Sequence, residues 1–264
     1  ASAPEDSRRL VIFTARSAAV YDDAVREFER RTGIWVEVRT ADGTLPLLEQ
    51  IAAGDSGCDL LLGAAPDSLS AHGDCFAPYA APLAADIPDA WRDSEDRWTP
   101  FALLPTVLIY NDQLVQRNVP DSWADLTGVA WRGRIACPDP TVSATGCTAL
   151  QALLLALPGE EEAVLSAFAR NVGGVAPPAA AAVNAVADGS CYVGVTTEDL
   201  ALQAADSGLS VTVVWPEEGT VLQPDCAAVV AGCAHEDNAR AFIDFLLSSE
   251  VQTRMAEQFL RPIR

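Results

Sequence analysis

Hydroxyl residues at a predicted helix start form the first candidate ligand site. Ser143 and Thr145 lie in the segment PTVSATG (140–146), which connects a predicted strand to a helix predicted from Ala144. Backbone N–H groups at a helix start lack intrahelical acceptors and lie at the positive end of the helix dipole, so they hold anions. We therefore predict anion binding by the turn of Ser143, Ala144, Thr145 and Gly146. The alternative interpretation is that Ser143 only caps the helix.

Three polar residues follow the first predicted strand, LVIFT (10–14). Ligands of open α/β sheets bind at the carboxyl ends of the strands, which is where Thr14, Arg16 and Ser17 lie. The guanidinium of Arg16 can bind a carboxylate, phosphate or phosphonate group through two hydrogen bonds. The hydroxyl groups of Thr14 and Ser17 are placed for direct hydrogen bonds. The alternative interpretation of Arg16 is an exposed side chain on a loop.

Two acidic residues follow another predicted strand, Tyr192–Val195. Thr197, Glu198 and Asp199 stand at its carboxyl end, where one carboxylate can bind a cationic group of a ligand. Alternatively, Thr196 or Thr197 caps the next helix and the two acids complement its dipole. With an anion bound at 143–146, the functional interpretation favours a small zwitterion, such as an aminoalkylphosphonate, over a phosphate ester or a carboxylate.

The elements that position these residues fall into two α/β units. Strands alternate with helices in both, which is typical of parallel sheets with helices on both faces. The first unit is predicted at 1–107 and 222–264, and the second, inserted unit at 108–221. Two extended runs cross between the units. The first of them, FALLPTVLIYN (101–111), contains Pro105, which argues against a central strand.

Composition and charge exclude several classes of function. The 264 residues include 37 Asp and Glu against 17 basic residues, a formal net charge of −20, and every basic residue is Arg. The chain therefore lacks the clustered cations that nucleic-acid binding needs, and anionic membranes repel it. The absence of Lys excludes a lysine Schiff base and a P-loop. The apolar run at 144–158 is too short to span a bilayer, and residues 1–10 carry charges where a signal peptide needs an apolar core.

Catalysis and metal binding find little support in the sequence. No GxSxG, GxGxxG or HExxH motif is present. A Ser or Cys hydrolase needs a base beside its nucleophile, and the histidines, His72 and His235, are predicted on the surface. A hydrolase that uses a carboxylate or a Cys stays only as an alternative. No CxxC pair exists to hold zinc. From the missing motifs, the missing base and the missing CxxC pair together, we expect no catalysis, no cofactor and no metal.

Seven cysteines allow two interpretations. They are buried thiols that act as small apolar residues, or they form one to three disulfides in an oxidising compartment. In the second case the candidate pairs are Cys58–Cys75 and Cys137–Cys147.

Six segments together resemble one protein family. In order and spacing they are similar to the periplasmic-type solute-binding proteins of ABC importers, in the branch that includes ferric-iron and phosphonate binders. The segments are LVIFTARSAAVYDDAVREFERRTGIWVEV (10–38), CDLLLGAAPDSL (58–69), RWTPFALLPTVLIYN (97–111), PDSWADLTGVAWRGRIACPDPTVSATG (120–146), CYVGVTTEDLA (191–201) and NARAFIDFLLSSEVQTRMAE (238–257). The resemblance implies an α/β protein with the two-lobed type II periplasmic-binding-protein (Venus-flytrap) fold, in which two mixed sheets flanked by helices are joined by two crossing strands.

The same resemblance implies a function, partners and a location. It predicts the extracellular solute-binding component of an ABC importer, which captures a small anionic or zwitterionic solute between two lobes without catalysis. The implied partners are that solute and the importer's membrane subunits, and the implied state is a monomer. The location is extracellular, periplasmic or at the cell surface, compatible with a lipid-anchored precursor. At the turn after the third strand, Ala65 joins the predicted ligand contacts.

Ferric iron is the main alternative ligand. Ferric binders of this family use a His near the first loop, a Glu after the third strand and two adjacent Tyr in the second lobe. The corresponding positions here hold Ser17, Ala64, Glu198 and Asp199. Because most of the hard iron ligands are missing, an organic solute is favoured over ferric iron with a synergistic anion.

Overall fold

The computed structural model describes residues 6–176 and 179–264. Residues 1–5, which belong to the segment considered above for a signal peptide, and residues 177–178 lie outside this description. Across the described ranges, no helix combines the length and the apolar character that crossing a membrane requires.

Strands and helices alternate along the chain. The described residues form the strands β1 (Arg9–Thr14), β2 (Trp35–Thr40), β3 (Leu60–Ala64), β4 (Thr99–Tyr110), β5 (Ile135–Pro138), β6 (Val172–Ala176), β7 (Val193–Thr197), β8 (Thr212–Val214), β9 (Leu222–Val229) and β10 (Arg261–Pro262). They form the helices α1 (Ala18–Thr32), α2 (Thr44–Ala52), α3 (Pro66–Ser70), α4 (Ala144–Ala156), α5 (Glu161–Asn171), α6 (Ala179–Ala187), α7 (Glu198–Asp206), α8 (Glu236–Leu246) and α9 (Ser249–Glu257). The predicted α/β class is therefore confirmed.

The chain passes twice between two compact units. Unit 1 comprises the described residues up to Leu103 together with Pro224–Arg264, and unit 2 comprises Leu104–Gln223. Both passages lie inside strands, β4 and β9, and Pro105 stands just beyond the first of them. A crossing segment tolerates this proline because it is not the centre of one sheet.

In unit 1, β1 lies between two parallel neighbours. Thr14 at its end pairs with Thr40 of β2 on one side and with Leu62 of β3 on the other, so the three strands end at one edge. β9 pairs with β3 in the antiparallel direction, which makes the sheet mixed. α1 covers this sheet and packs on α8 through Phe28 and Phe242, whose ring centroids are 5.0 Å apart.

In unit 2, β7 is the central strand of a second mixed sheet. β5 pairs with β7 in parallel and the second half of β4 pairs with it antiparallel, while β8 continues beyond β4. β6 extends the sheet beyond β5. The sequence does not predict β6, because VGGVA lacks the run of β-branched and aromatic residues that indicates a strand. A Cβ on Gly173 would collide with the carbonyl oxygen of Gly133, so glycine is required there.

The predicted disulfides are not formed. All seven cysteines are free thiols, so neither Cys58–Cys75 nor Cys137–Cys147 is a pair. Cys137 is buried in β5, whereas Cys147 is exposed in the first turn of α4, where its thiol donates to the carbonyl oxygen of Pro140 at 2.9 Å. Burial raises the pKa of the Cys58 and Cys137 thiols to about 12. Both behave as small apolar residues.

The surface prediction is wrong for His235. Its side chain is 10% exposed, and its Nδ1 lies 2.9 Å from Oδ2 of Asp59, whose side chain is 2% exposed. The backbone N–H of His235 donates to the other carboxylate oxygen at 3.1 Å. His72 is half-buried, with Nδ1 2.9 Å from the carbonyl oxygen of Ser68. A buried carboxylate needs hydrogen-bond donors, and the backbone N–H groups of His235 and Val11 supply them to Asp59.

Candidate functional site

Two of the predicted groups lie at one edge of the sheet of unit 2. β5 and β7 are parallel neighbours, with Ala136 opposite Gly194, so their carboxyl ends lie side by side. α4 begins shortly after β5, and α7 begins directly after β7. The sheet therefore places the turn at 143–146 next to residues 197–199, as expected for a site at the strand ends.

The start of α4 offers backbone N–H groups beside a cap. Ser143 is the N-cap in an extended conformation (φ −116°, ψ 122°), and its Oγ accepts from the N–H of Gly146 at 3.4 Å. Its own N–H donates to the carbonyl oxygen of Asp139 at 2.8 Å. Helix geometry leaves the N–H groups of Ala144 and Thr145 without an intrahelical acceptor, and no other described residue supplies one. Ser143 thus caps the helix without occupying the donors that an anion needs.

Gly146 serves the packing of α4. A Cβ at this position would lie 2.5 Å from the carbonyl oxygen of Pro138 and 2.7 Å from the backbone nitrogen of Pro140. Any other residue would push α4 away from the loop after β5. Gly146 is therefore required for the position of the turn, and its N–H already bonds to Ser143.

Threonine hydroxyls tie α4 to the centre of the sheet. The hydroxyl of Thr148 donates to the carbonyl oxygen of Thr145 at 3.0 Å and lies 2.7 Å from the hydroxyl of Thr106. Thr106 stands opposite Thr197 in the β4–β7 ladder. These contacts hold the first two turns of α4 against the end of β7. Thr145 is 8% exposed, so its hydroxyl is a poorer ligand contact than the sequence predicts.

The residues at the start of α7 are nearly buried. Thr197 is the N-cap, but its side chain makes no capping hydrogen bond, so the alternative in which it caps the helix is wrong. Oγ1 of Thr197 and Oδ1 of Asp199 have no hydrogen-bond partner among the described residues, and both residues are 2% exposed. A buried polar group without a partner costs about 1–3 kcal/mol. This corner of unit 2 therefore carries an unmet need for hydrogen-bond donors.

Trp215 is a site residue that the sequence does not indicate. Its indole N–H donates to Oε1 of Glu198 at 2.6 Å. Trp215 is 49% exposed, whereas Glu198 is 5% exposed. A large aromatic ring therefore lies at the surface beside a nearly buried carboxylate and holds one of its oxygens. In the sequence, Trp215 is a tryptophan directly after a short strand. A tryptophan of the core would show the same pattern, so the sequence does not mark Trp215 as a site residue.

Asp139 adds a negative charge beside the start of α4. The hydroxyl and the N–H of Thr141 donate to its Oδ1 at 2.6 and 2.9 Å, and these bonds lower the pKa of the Asp139 carboxyl. Cys137 nearby stays neutral, because burial, reinforced by the charge of Asp139, raises the pKa of its thiol to about 12. An anion at this turn is therefore bound in the presence of one fixed negative charge.

Unit 1 contains a cavity at the ends of β1 and β2. Its volume is about 490 Å³, and it is lined by Arg16, Ser17, Ala18, Tyr21, Thr40, Ala41 and Asp42. Thr14 is fully buried behind it, and its hydroxyl accepts the N–H of Arg16 at 3.0 Å. Ala65 is half-buried at the start of α3 and is not one of the lining residues. Burial raises the pKa of Tyr21, so its phenol is a neutral hydrogen-bonding group.

Arg16 is ion-paired inside unit 1. Its Nη2 lies 2.8 Å from Oδ1 of Asp225, and the side chains are 21% and 1% exposed, respectively. The alternative of an exposed loop residue is therefore wrong. Gly63 lies under the aliphatic part of Arg16, because a Cβ there would be 2.5 Å from Cγ of Arg16.

The start of α1 also lies at this cavity. Ser17 is the N-cap (φ −66°, ψ 152°) and makes no side-chain capping bond, and the first turn contains no acidic residue. Ser17 and Ala18 are exposed and line the cavity. The N–H of Val20 donates to the carbonyl oxygen of Ser17, so the N–H groups of Ala18 and Ala19 are the ones available to a ligand beside Arg16.

Each unit groups its own predicted residues. Unit 2 places 143–146 and 197–199 at one sheet edge, and unit 1 places Arg16 and Ser17 at its cavity. In the part of the chain that the structure describes, no three His, Cys, Asp or Glu side chains are grouped so as to hold a metal ion.

The profile of one protein family matches most of the chain. The family is described as "Bacterial extracellular solute-binding protein", and the match covers residues 69–263. The "Probable ABC transporter periplasmic-binding protein y4fP" of Sinorhizobium fredii is 27% identical over 211 residues, which are 76% of this chain and 59% of that protein. The "Putative 2-aminoethylphosphonate-binding periplasmic protein" of Salmonella typhimurium is 27% identical over 244 residues, 87% of this chain and 69% of that protein. The chain thus spans less than two thirds of the first relative's length.

Solved structures share the fold. AfuA from Actinobacillus pleuropneumoniae, with fructose-6-phosphate bound, matches with a TM-score of 0.85 at 22% identity, over 97% of this chain and 85% of its own. Iron-bound HitA from Pseudomonas aeruginosa matches with a TM-score of 0.82 at 23% identity, over 97% and 86%. Identities this low show the fold alone. The predicted type II periplasmic-binding-protein fold is confirmed.

Proposed function

The chain belongs to the family of bacterial extracellular solute-binding proteins, and we propose that it captures a small anionic or zwitterionic solute for an ABC importer. The S. fredii relative, named as a periplasmic-binding protein of an ABC transporter, supports this role. The proposed activity is binding without catalysis, in the periplasm or at the outer cell surface. The proposed partners are the solute and the importer's membrane subunits. We propose that the protein binds both as a monomer.

One observation carries the proposed class of solute. In unit 2, adjacent parallel strands bring the N–H groups of Ala144 and Thr145 to the same sheet edge as the carboxylates of Glu198 and Asp199. Helix-start N–H groups bind anions, and carboxylates bind cations. A solute with an oxyanion at one end and an ammonium group at the other satisfies both.

Unit 1 supports the anionic part of this class. Arg16 and the start of α1 lie at a cavity of about 490 Å³, within the range of about 300–1,000 Å³ for small-molecule sites. Aminoalkylphosphonates combine an oxyanion with an ammonium group, in keeping with the name of the Salmonella relative. Phosphate esters and carboxylates use only the anion-binding groups.

Calorimetric titration with a panel of solutes tests the proposal. The probes are 2-aminoethylphosphonate, ethylphosphonate, fructose 6-phosphate, putrescine and ferric citrate. We expect 2-aminoethylphosphonate to bind best, and ethylphosphonate about tenfold more weakly, since a lost charge-assisted hydrogen bond costs about 1.5 kcal/mol. Binding of no anion in the panel overturns the proposal, and binding of ferric citrate alone replaces it with the iron alternative.

Native mass spectrometry of the purified protein separates a binding protein from an enzyme. An unmodified solute retained at one per chain supports capture. Conversion of an added solute into a product contradicts the proposed absence of catalysis.

A further inference from the structure

Two residues outside the predicted site restrict the orientation of Arg16. At its tip, Nη2 lies 2.8 Å from Oδ1 of Asp225. Along its stem, Cγ lies against Gly63, at 2.5 Å from where a Cβ would stand. At its backbone, the N–H donates to Oγ1 of Thr14 at 3.0 Å. The side chain is thus held at three points along its length.

Both restraining positions are demanding ones. Asp225 is a carboxylate with a 1% exposed side chain, and a buried charge is tolerated when it is paired and hydrogen-bonded. Gly63 has φ +84°, a backbone conformation that residues other than glycine rarely adopt. The space beside it is also too small for a Cβ. Neither residue lines the cavity, whereas Arg16, which both contact, does.

We infer that Asp225 and Gly63 are positioning residues that aim the Arg16 guanidinium at an oxyanion in the cavity of unit 1. The guanidinium is a rigid fork of five N–H donors that binds oxyanions through paired hydrogen bonds. A side chain that is ordered before binding loses less conformational entropy when the ligand arrives. The inference rests on the proposed function, because the oxyanion belongs to the solute proposed above.

Unit 1 also contains a matched arrangement away from the cavity. Nε of Arg97 lies 3.0 Å from Oδ2 of Asp93, whose side chain is 6% exposed. A Cβ on Gly73 would collide with the Arg97 guanidinium, and Arg97 lies over the ring of Trp98 at 5.3 Å. Because Arg97 does not line the cavity, Asp93→Asn and Gly73→Ala are controls that disturb an equivalent ion pair without touching a ligand.

Double-mutant cycles test the positioning role. Calorimetry with 2-aminoethylphosphonate and ethylphosphonate compares the wild type with Asp225→Asn, Gly63→Ala and Arg16→Gln, and with each of the first two combined with Arg16→Gln. We expect Asp225→Asn and Gly63→Ala each to weaken binding of both probes fivefold or more. In the Arg16→Gln background, neither change should weaken binding further. The controls should lower the melting temperature and leave both affinities unchanged.

Three results would overturn the inference. Equal losses with and without Arg16 mean that Asp225 and Gly63 act on the fold and not through Arg16. Full affinity of Arg16→Gln means that this guanidinium does not bind the oxyanion, while the proposed function survives. If the wild type binds neither of these probes nor any other anion of the panel, the proposed function fails and the inference fails with it. Circular dichroism checks that each variant folds. If Asp225→Asn does not fold, the cycle of Gly63→Ala with Arg16→Gln tests the inference without it.

Discussion

The two units treat a buried carboxylate in opposite ways. In unit 1, Asp225 has a 1% exposed side chain and forms an ion pair with Arg16. In unit 2, Asp199 is 2% exposed, and within the described ranges it has no ion pair and its Oδ1 has no hydrogen-bond partner. Burying an unpaired charge is far more costly than burying a paired one. Unit 1 therefore pairs its buried carboxylate with a cation of its own, whereas no described residue of unit 2 forms an ion pair with Asp199.

This difference suggests how the units divide the work of recognition. Arg16 is already ordered and paired, so it contributes orientation to the binding of an oxyanion. Among the described residues, Oγ1 of Thr197 and Oδ1 of Asp199 have no hydrogen-bond partner, so a solute that brings hydrogen-bond donors would relieve a cost already present in the protein. Selectivity for a cationic group is therefore expected from unit 2.

The sharpest test compares the stability of two variants in the absence of solute. Asp225→Asn removes the carboxylate that forms an ion pair with Arg16, and we expect a loss of about 3 kcal/mol in the free energy of unfolding, at the low end for a broken buried pair. Asp199→Asn changes a buried carboxyl group that has no ion pair among the described residues, so we expect no loss. Urea denaturation measures both, and equal losses would remove the distinction between the units.

The next largest effect concerns the anion-binding turn of unit 2. Ser143→Ala combined with Thr145→Ala should weaken binding of 2-aminoethylphosphonate tenfold or more in calorimetry, because the loss of the Ser143 cap loosens the first turn of α4 and misplaces the N–H groups of Ala144 and Thr145. Ser248→Ala, at the N-cap of α9 in unit 1, is the control for a helix start outside the site. Unchanged affinity in the double variant would mean that the anion does not bind at this turn.

A smaller effect is expected at Trp215. Trp215→Phe keeps an aromatic ring but removes the N–H that binds Glu198, so 2-aminoethylphosphonate should bind about fivefold more weakly, near 1 kcal/mol. Ethylphosphonate should be unaffected, because it has no ammonium group. Trp35→Phe changes a similarly exposed tryptophan of unit 1 and serves as the control. If both probes weaken together, Trp215 does not act through the carboxylate.

The smallest effect is a change in the labelling rate of one thiol. Cys147 is exposed in the first turn of α4, whereas burial raises the pKa of Cys137 to about 12. Iodoacetamide at pH 8 should therefore modify Cys147 first, and saturating 2-aminoethylphosphonate should slow that reaction several-fold. The half-buried Cys75 of unit 1 is the internal reference in the same mass spectra. A solute that binds without protecting Cys147 would contradict an anion at this turn.

Elements with a strong local pattern were predictable. The strand expected at 10–14 is observed at Arg9–Thr14, and the helix expected from Ala144 is observed at Ala144–Ala156. Neighbouring residues encode both: a continuous apolar run marks the strand, and Ser143 directly before Ala144 marks the start of the helix. β6 was not predictable, because its Val-Gly-Gly-Val core becomes a strand only when β5 lies beside it.

The sequence by itself determined which polar residues follow strands, and therefore which ones could meet at a sheet edge, because strand ends and helix starts are encoded by neighbouring residues. Only the tertiary structure decided their partners. Arg16 pairs with Asp225 from the far end of the sequence, and Glu198 bonds to Trp215 after one helix and one strand. Such partners depend on which strands become neighbours in a sheet, and no local pattern specifies that choice.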